Sequence, residues 1–126
     1  MGCGPDCQLS CEQGLPGGGC WFVGRVNQSC DQVCAGEGLA YSELTEAFAG
    51  SAGTDANCGG LIQQFRDAGV DLPDDPRGVL SGNVGAGGRG CFVTSQETFG
   101  HFWVRDSEPA RADAAQAISR RVCACE

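Results

Sequence analysis

The chain has no lysine, a single histidine, a single tyrosine and no Cys-x2-Cys pair in 126 residues. Each shortage removes a class of function. Structural zinc sites and iron–sulfur clusters are built on two-residue cysteine gaps, usually in duplicate, and none occurs here. A thiol–disulfide catalyst needs a Cys-x-x-Cys beside a βαβ unit, and neither is present. A Ser–His or Cys–His nucleophile would have to use His101, which sits between Gly100 and Phe102 at the start of a strand-like run. No stretch reaches the roughly 20 apolar residues that cross a bilayer. Basic residues number eight, all arginine, against 16 acidic ones, for a net charge of −8. Nucleic acids and anionic membrane surfaces select the opposite balance.

Cysteine is abundant. Ten residues, Cys3, Cys7, Cys11, Cys20, Cys30, Cys34, Cys58, Cys91, Cys123 and Cys125, span the chain. An even count without metal-ligand spacing reads as a disulfide framework and places the protein in an oxidising compartment. Glycine is equally prominent at 21 residues, while aromatics are six Phe, two Trp and one Tyr. Glycine raises the entropy lost on folding, and cross-links worth roughly 2–4 kcal/mol each offset it. No metal, cofactor or catalytic residue is expected, and the chain does not read as an enzyme.

Residues 1–19 read as a cysteine-containing arm ending in Leu15-Pro16-Gly17-Gly18-Gly19, a hinge or loop. Met1-Gly2-Cys3-Gly4-Pro5 has no apolar run, so the chain reads as a mature fragment. Asp6 stands where a myristoylation pattern wants Ser or Thr. Residues 20–126 form the stapled domain. Cys20–Val26 is strand-like. Ser29 caps a short helix from Cys30 to about Ala35. Glu43–Ala49 is a second helical stretch. Thr54 or Asp55 caps the clearest helix, about Ala56–Ala68, with Cys58, Leu61, Ile62 and Phe65 on one face and Gly69 at its end. Gly90–Val93 and Phe102–Arg105 suggest a hairpin. Ser107-Glu108-Pro109 signals a helix over Ala110–Ser119, and Arg120–Cys125 a closing strand. The fold class is α+β, a small disulfide-rich domain with a short antiparallel sheet packed with about three helices.

Ten cysteines allow about 945 pairings. Spacing favours one arrangement. Cys30 and Cys34 are about 6 Å apart along one helix face, and Cys123 and Cys125 about 6.6 Å apart on one strand face. Two such rows can close two parallel bridges.

The phrases Gly19-Cys20-Trp21-Phe22-Val23-Gly24, Ser29-Cys30-Asp31-Gln32-Val33-Cys34-Ala35 with Gly38-Leu39, Ala56-Asn57-Cys58, Gly90-Cys91-Phe92 and Arg121-Val122-Cys123-Ala124-Cys125 occur in an order that resembles an uncharacterised cysteine-rich domain of secreted and surface proteins in microbial eukaryotes, algae and dinoflagellates especially. The resemblance covers residues 19–126 and implies extracellular or lumenal use. C-type lectin-like domains also staple helices to a sheet, but their Glu-Pro-Asn and Trp-Asn-Asp motifs are absent and a helix before the last strand breaks their order.

Three further features are weighed for binding. Asp71, Asp74 and Asp75 form an acidic turn without EF-hand spacing. Residues 82–90 are Gly-rich but lead into a strand rather than a helix, as a phosphate loop must not; such a loop is a candidate partner contact. Trp103, Trp21 and Arg89 form a candidate binding face if helices leave it uncovered. Asn27-Gln28-Ser29 is a glycosylation sequon. The expected function is a non-catalytic structural or interaction module, a small disulfide-rich subunit or domain of a larger extracellular or lumenal assembly. The alternative is a carbohydrate-binding, lectin-like module. Expected partners are proteins of such an assembly, including a membrane complex approached from its lumenal or outer side, further copies of the chain, or glycan. Secretion, the cell surface and an organelle lumen such as the thylakoid all fit the cysteines.

Overall fold

A computed structural model describes residues 8–9, 20–73, 80–82, 87–96, 100–106, 108–116 and 118–126. Nine elements follow in order: β1 (Gln8–Leu9), β2 (Cys20–Val23), α1 (Cys30–Gly36), α2 (Leu44–Ala49), α3 (Asp55–Asp67), β3 (Leu80–Gly82), β4 (Cys91–Gln96), β5 (Gly100–Asp106) and β6 (Ser119–Cys125). The strands join in the order β1-β2-β6-β4-β5-β3. All neighbours are antiparallel except β3 and β5, which run parallel at one edge. The expected hairpin is β4–β5, with Phe92 opposite Val104 and Val93 opposite Trp103. The protein is thus a small α+β disulfide-rich domain. The Gln8–Leu9 part of the arm belongs to the sheet, where it pairs with Phe22 and Trp21.

The strand alternation sorts side chains onto two faces. Trp21, Val23, Cys91, Val93, Trp103, Val122 and Ala124 meet α2 and α3 in the larger core, with Leu61, Ile62 and Phe65 from the α3 stripe. Phe22, Cys123 and Cys125 point the other way and meet Cys30, Val33 and Cys34 of α1.

Local signals explain the helix ends. Ser29 accepts from the Gln32 backbone N–H while the Gln32 side chain accepts from the Ser29 N–H, a reciprocal cap for α1. Thr54 caps α3 through the Asn57 N–H. Gly69, at φ 102°, ends that helix where an L side chain would be strained. Asp55 in its first turn takes a 2.6 Å charged bond from Arg105 Nε of β5, anchoring helix to sheet.

Residues 110–119 depart from the expectation of a helix. The described residues from 110 to 118 are turn and irregular chain, and Ser119 already opens β6. Its backbone groups bond outward instead. Ala110 N–H donates to Glu46 Oε1, Arg111 N–H to the Gly88 carbonyl, and the Ala112 carbonyl accepts from Asp31 N–H. The Arg111 and Ala114 carbonyls accept from Arg121 Nη1. A helix with an alanine face would bury little apolar area, so these tertiary bonds override its local propensity.

Candidate functional site

Six of the seven described cysteines form three bridges: Cys30–Cys123, Cys34–Cys125 and Cys58–Cys91. The first two are the parallel pair expected from spacing. Their Cα separations are 5.6 and 5.5 Å, so helix and strand rows face each other in register. Cys20 is also disulfide-bonded, and none of the described cysteines is free. Cys3, Cys7 and Cys11 lie outside the described residues.

The candidate aromatic face is corrected by burial. Trp21 is fully buried and tilts against Phe48 at 5.7 Å between ring centroids. Trp103 is 8% exposed, and its Nε1 donates to the Pro73 carbonyl at 2.8 Å. Arg89 is also buried, its guanidinium 4.2 Å above the Phe92 ring. Helices α2 and α3 and the 70–73 segment cover the strand surface that sequence alone leaves open. His101's side chain, Asp74, Asp75 and residues 83–86 lie outside what is described. Asp71 is exposed and offers its carbonyl to Arg120 Nη1. No group of three metal-ligating side chains occurs among the described residues, and no helix among them is long and apolar enough to cross a membrane.

The Gly-rich loop does cradle an anion, and that anion belongs to the chain. The Gly88 and Arg89 N–H groups both donate to Asp106 Oδ2 at 3.0 Å. Gly88 sits at φ 85°, which turns successive N–H groups toward one point. Asp106 Oδ1 accepts from the Glu108 N–H. Around this carboxylate lies a buried polar network that residue spacing does not announce. Arg89 Nη1 donates to Ser119 Oγ. Arg121, fully buried, donates from Nε to the Arg89 carbonyl and from Nη1 to Arg111 and Ala114. Burial pulls its guanidinium down to about 10, with Arg89 pushing the same way and Tyr41 opposing; it stays protonated at neutral pH. Burial lowers Arg89 as well, against the pull of Asp106. Burial would raise the Glu46 carboxyl, but hydrogen bonds from Ala110, Ser51 and Ala52 outweigh it and hold the group below its usual value. These groups fasten the 88–90 and 108–116 loops to the sheet.

Two accessible concavities among the described residues lie elsewhere. A cleft of about 240 Å³ opens between β2 and α1, lined by Phe22, Val23, Arg25, Gln28, Gln32, Val33, Gly36 and Glu37. A shallower groove of about 120 Å³ runs between Phe48 and the Ala56–Gln64 face of α3. Asn27, beside the larger cleft, is exposed at φ 66°. The Ser29 hydroxyl of its sequon is buried in the α1 cap.

Comparison with protein-family models, with curated proteins and with solved structures found no match. Function must therefore be argued from the geometry.

Proposed function

We propose that this chain is a non-catalytic structural or interaction module, a disulfide-rich subunit or domain of a larger assembly in an extracellular or lumenal space. The double bridge from α1 to β6 carries this reading. It locks the helix to the closing strand at two points and makes the domain a rigid body, the property an assembly component needs. The chemistry-bearing side chains support it, since Arg89, Asp106, Ser119 and Arg121 are spent on internal bonds. The bridges are compatible with an oxidising compartment; secretion, the cell surface and an organelle lumen are the settings we propose. The resemblance to secreted cysteine-rich domains points the same way, and Asn27 is the residue a glycan would occupy there. Gentle cross-linking of the native protein, followed by identification of what co-purifies, tests the reading. A stoichiometric protein partner, or copies of the chain itself, is the expected result. A chain that migrates alone at native concentration with no cross-linked partner refutes it.

A second reading, a carbohydrate-binding module, is favoured by one observation. The cleft between β2 and α1 is open, and its lining combines polar side chains with the apolar Phe22 and Val33.

A further inference from the structure

We propose that the cleft between β2 and α1 is a binding site for a small, uncharged, polyhydroxylated ligand, a single hexose unit of a glycan. The inference rests on the carbohydrate-binding reading and gives it a location different from the buried tryptophans. Four observations carry it. The first is size. About 240 Å³ is below the roughly 300–1,000 Å³ of drug-sized pockets and suits one saturated ring.

The second is the donor set. Gln28 Oε1 accepts from the Arg25 N–H at 2.8 Å, and Gln32 Oε1 accepts from the Ser29 N–H at 2.8 Å. Both amide oxygens are thereby fixed, so the orientation of each amide is settled and its NH₂ is the end left for a ligand. The Glu37 carboxylate supplies acceptors on the same rim. Vicinal hydroxyls need this mixture of donors and acceptors. The apolar side chains of Phe22 and Val33, on the α1 side of the sheet, line the cleft where a ring's C–H face would meet them.

The third is charge. Arg25 and Glu37 are the charged residues of the lining and their formal charges cancel, so the cleft selects neither an anion nor a cation.

The fourth is Gly36, the last residue of α1. Its φ is not positive, and a Cβ built there would meet nothing within 4 Å. Neither conformation nor crowding requires glycine. Alanine in a helix would be favoured by up to about 1 kcal/mol. Gly36 is among the residues that line the cleft, so its missing side chain leaves that part of the wall bare.

The test is titration of the isotope-labelled full chain with D-glucose, D-galactose, D-mannose and N-acetyl-D-glucosamine, followed by NMR. The expected result is saturable shifts of the Gln28 and Gln32 side-chain NH₂ signals and of the Gly36 and Glu37 amides for at least one sugar. Gly36→Leu fills the wall and should weaken that binding by tenfold or more, about 1.4 kcal/mol, with an unchanged melting temperature. Gln28→Leu, which removes one NH₂, is the second variant should the first fail to fold. Sugar binding that maps elsewhere and survives both variants overturns the cleft assignment while leaving the carbohydrate reading standing. No saturable shift with any of the four sugars overturns both. Cleft shifts produced by acetate or by an alkylammonium ion, but not by the sugars, overturn the ligand class.

Discussion

Thr45 of α2 and Ala124 of β6 exchange two hydrogen bonds. The Ala124 N–H donates to Thr45 Oγ1 at 2.9 Å, and the hydroxyl donates back to the Ala124 carbonyl at 3.3 Å. Strand β4 pairs with β6 through Ser119–Arg121, so among the described residues no strand lies beside the far half of that β6 edge. A helix side chain, with the Ser42 N–H and the Tyr41–Cys125 bridge, supplies the missing ladder. Both residues are buried, where an unpaired backbone group is costly. Thr45→Val keeps the shape and removes the hydroxyl. It should destabilise the fold by about 1–3 kcal/mol, read from urea unfolding. Thr45→Ser should recover most of that loss.

The two α1–β6 disulfides close nearly the same loop, with sequence separations of 93 and 91. Once one has formed, the other restricts only the short spans between the paired cysteines. Their entropic contributions are therefore not additive. Replacing Cys34 and Cys125 together by alanine should cost clearly less than the roughly 4–5 kcal/mol expected for opening a loop near 90 residues. Replacing all four should cost more than twice the single-bridge variant. Denaturant unfolding of the two variants checks this, and equal losses for the first and second bridge would contradict it.

Trp103 is the position where an exposed-face reading and the fold give opposite outcomes. Its burial and its bond to the Pro73 carbonyl make Trp103→Ala a core deletion. The expected cost is about 3–5 kcal/mol in unfolding free energy. A variant of unchanged stability would place the ring outside the core.

Glu46 sets an acid limit. Its carboxylate accepts from the Ser51 and Ala52 N–H groups, the Ser51 hydroxyl and the Ala110 N–H, which hold it below the usual 4.5. A carboxyl lowered in the fold contributes stability that is fully present above its unfolded value. That contribution is lost as pH falls through the folded value. Melting temperature should therefore hold steady above about pH 4.5 on this account and decline below it, and Glu46→Gln should flatten the decline. Thermal scans from neutral to acid pH measure it.

The sequence by itself determined the class, the cross-linking chemistry and several elements. Cysteine number and the absence of two-residue gaps select disulfides over metal. Ser29 with Gln32, Thr54 with Asn57, and the Cys58–Leu61–Ile62–Phe65 stripe are local signals, each contained within one turn or one helix face, so their geometry is legible in residue order. The α1–β6 pairing was legible for the same reason, because helix rise and strand rise fix the spacing of each cysteine row. The rest depended on what meets what across the chain. The 110–119 segment has helix signals at Ser107–Pro109, yet Asp31, Glu46 and Gly88, all distant in sequence, take its backbone groups, together with Arg121 of the adjoining strand. Trp21 and Trp103 carry no mark of which strand face the helices will cover. Arg89, Asp106 and Arg121 look like surface charges in a list of residues, since nothing local shows that a carboxylate 17 positions away will bond the Arg89 N–H. The cleft lies between β2 and α1, and residues from both elements and from the turn that joins them line it. Burial and concavity are properties of packed surfaces, and packing between distant segments is decided by the tertiary structure alone.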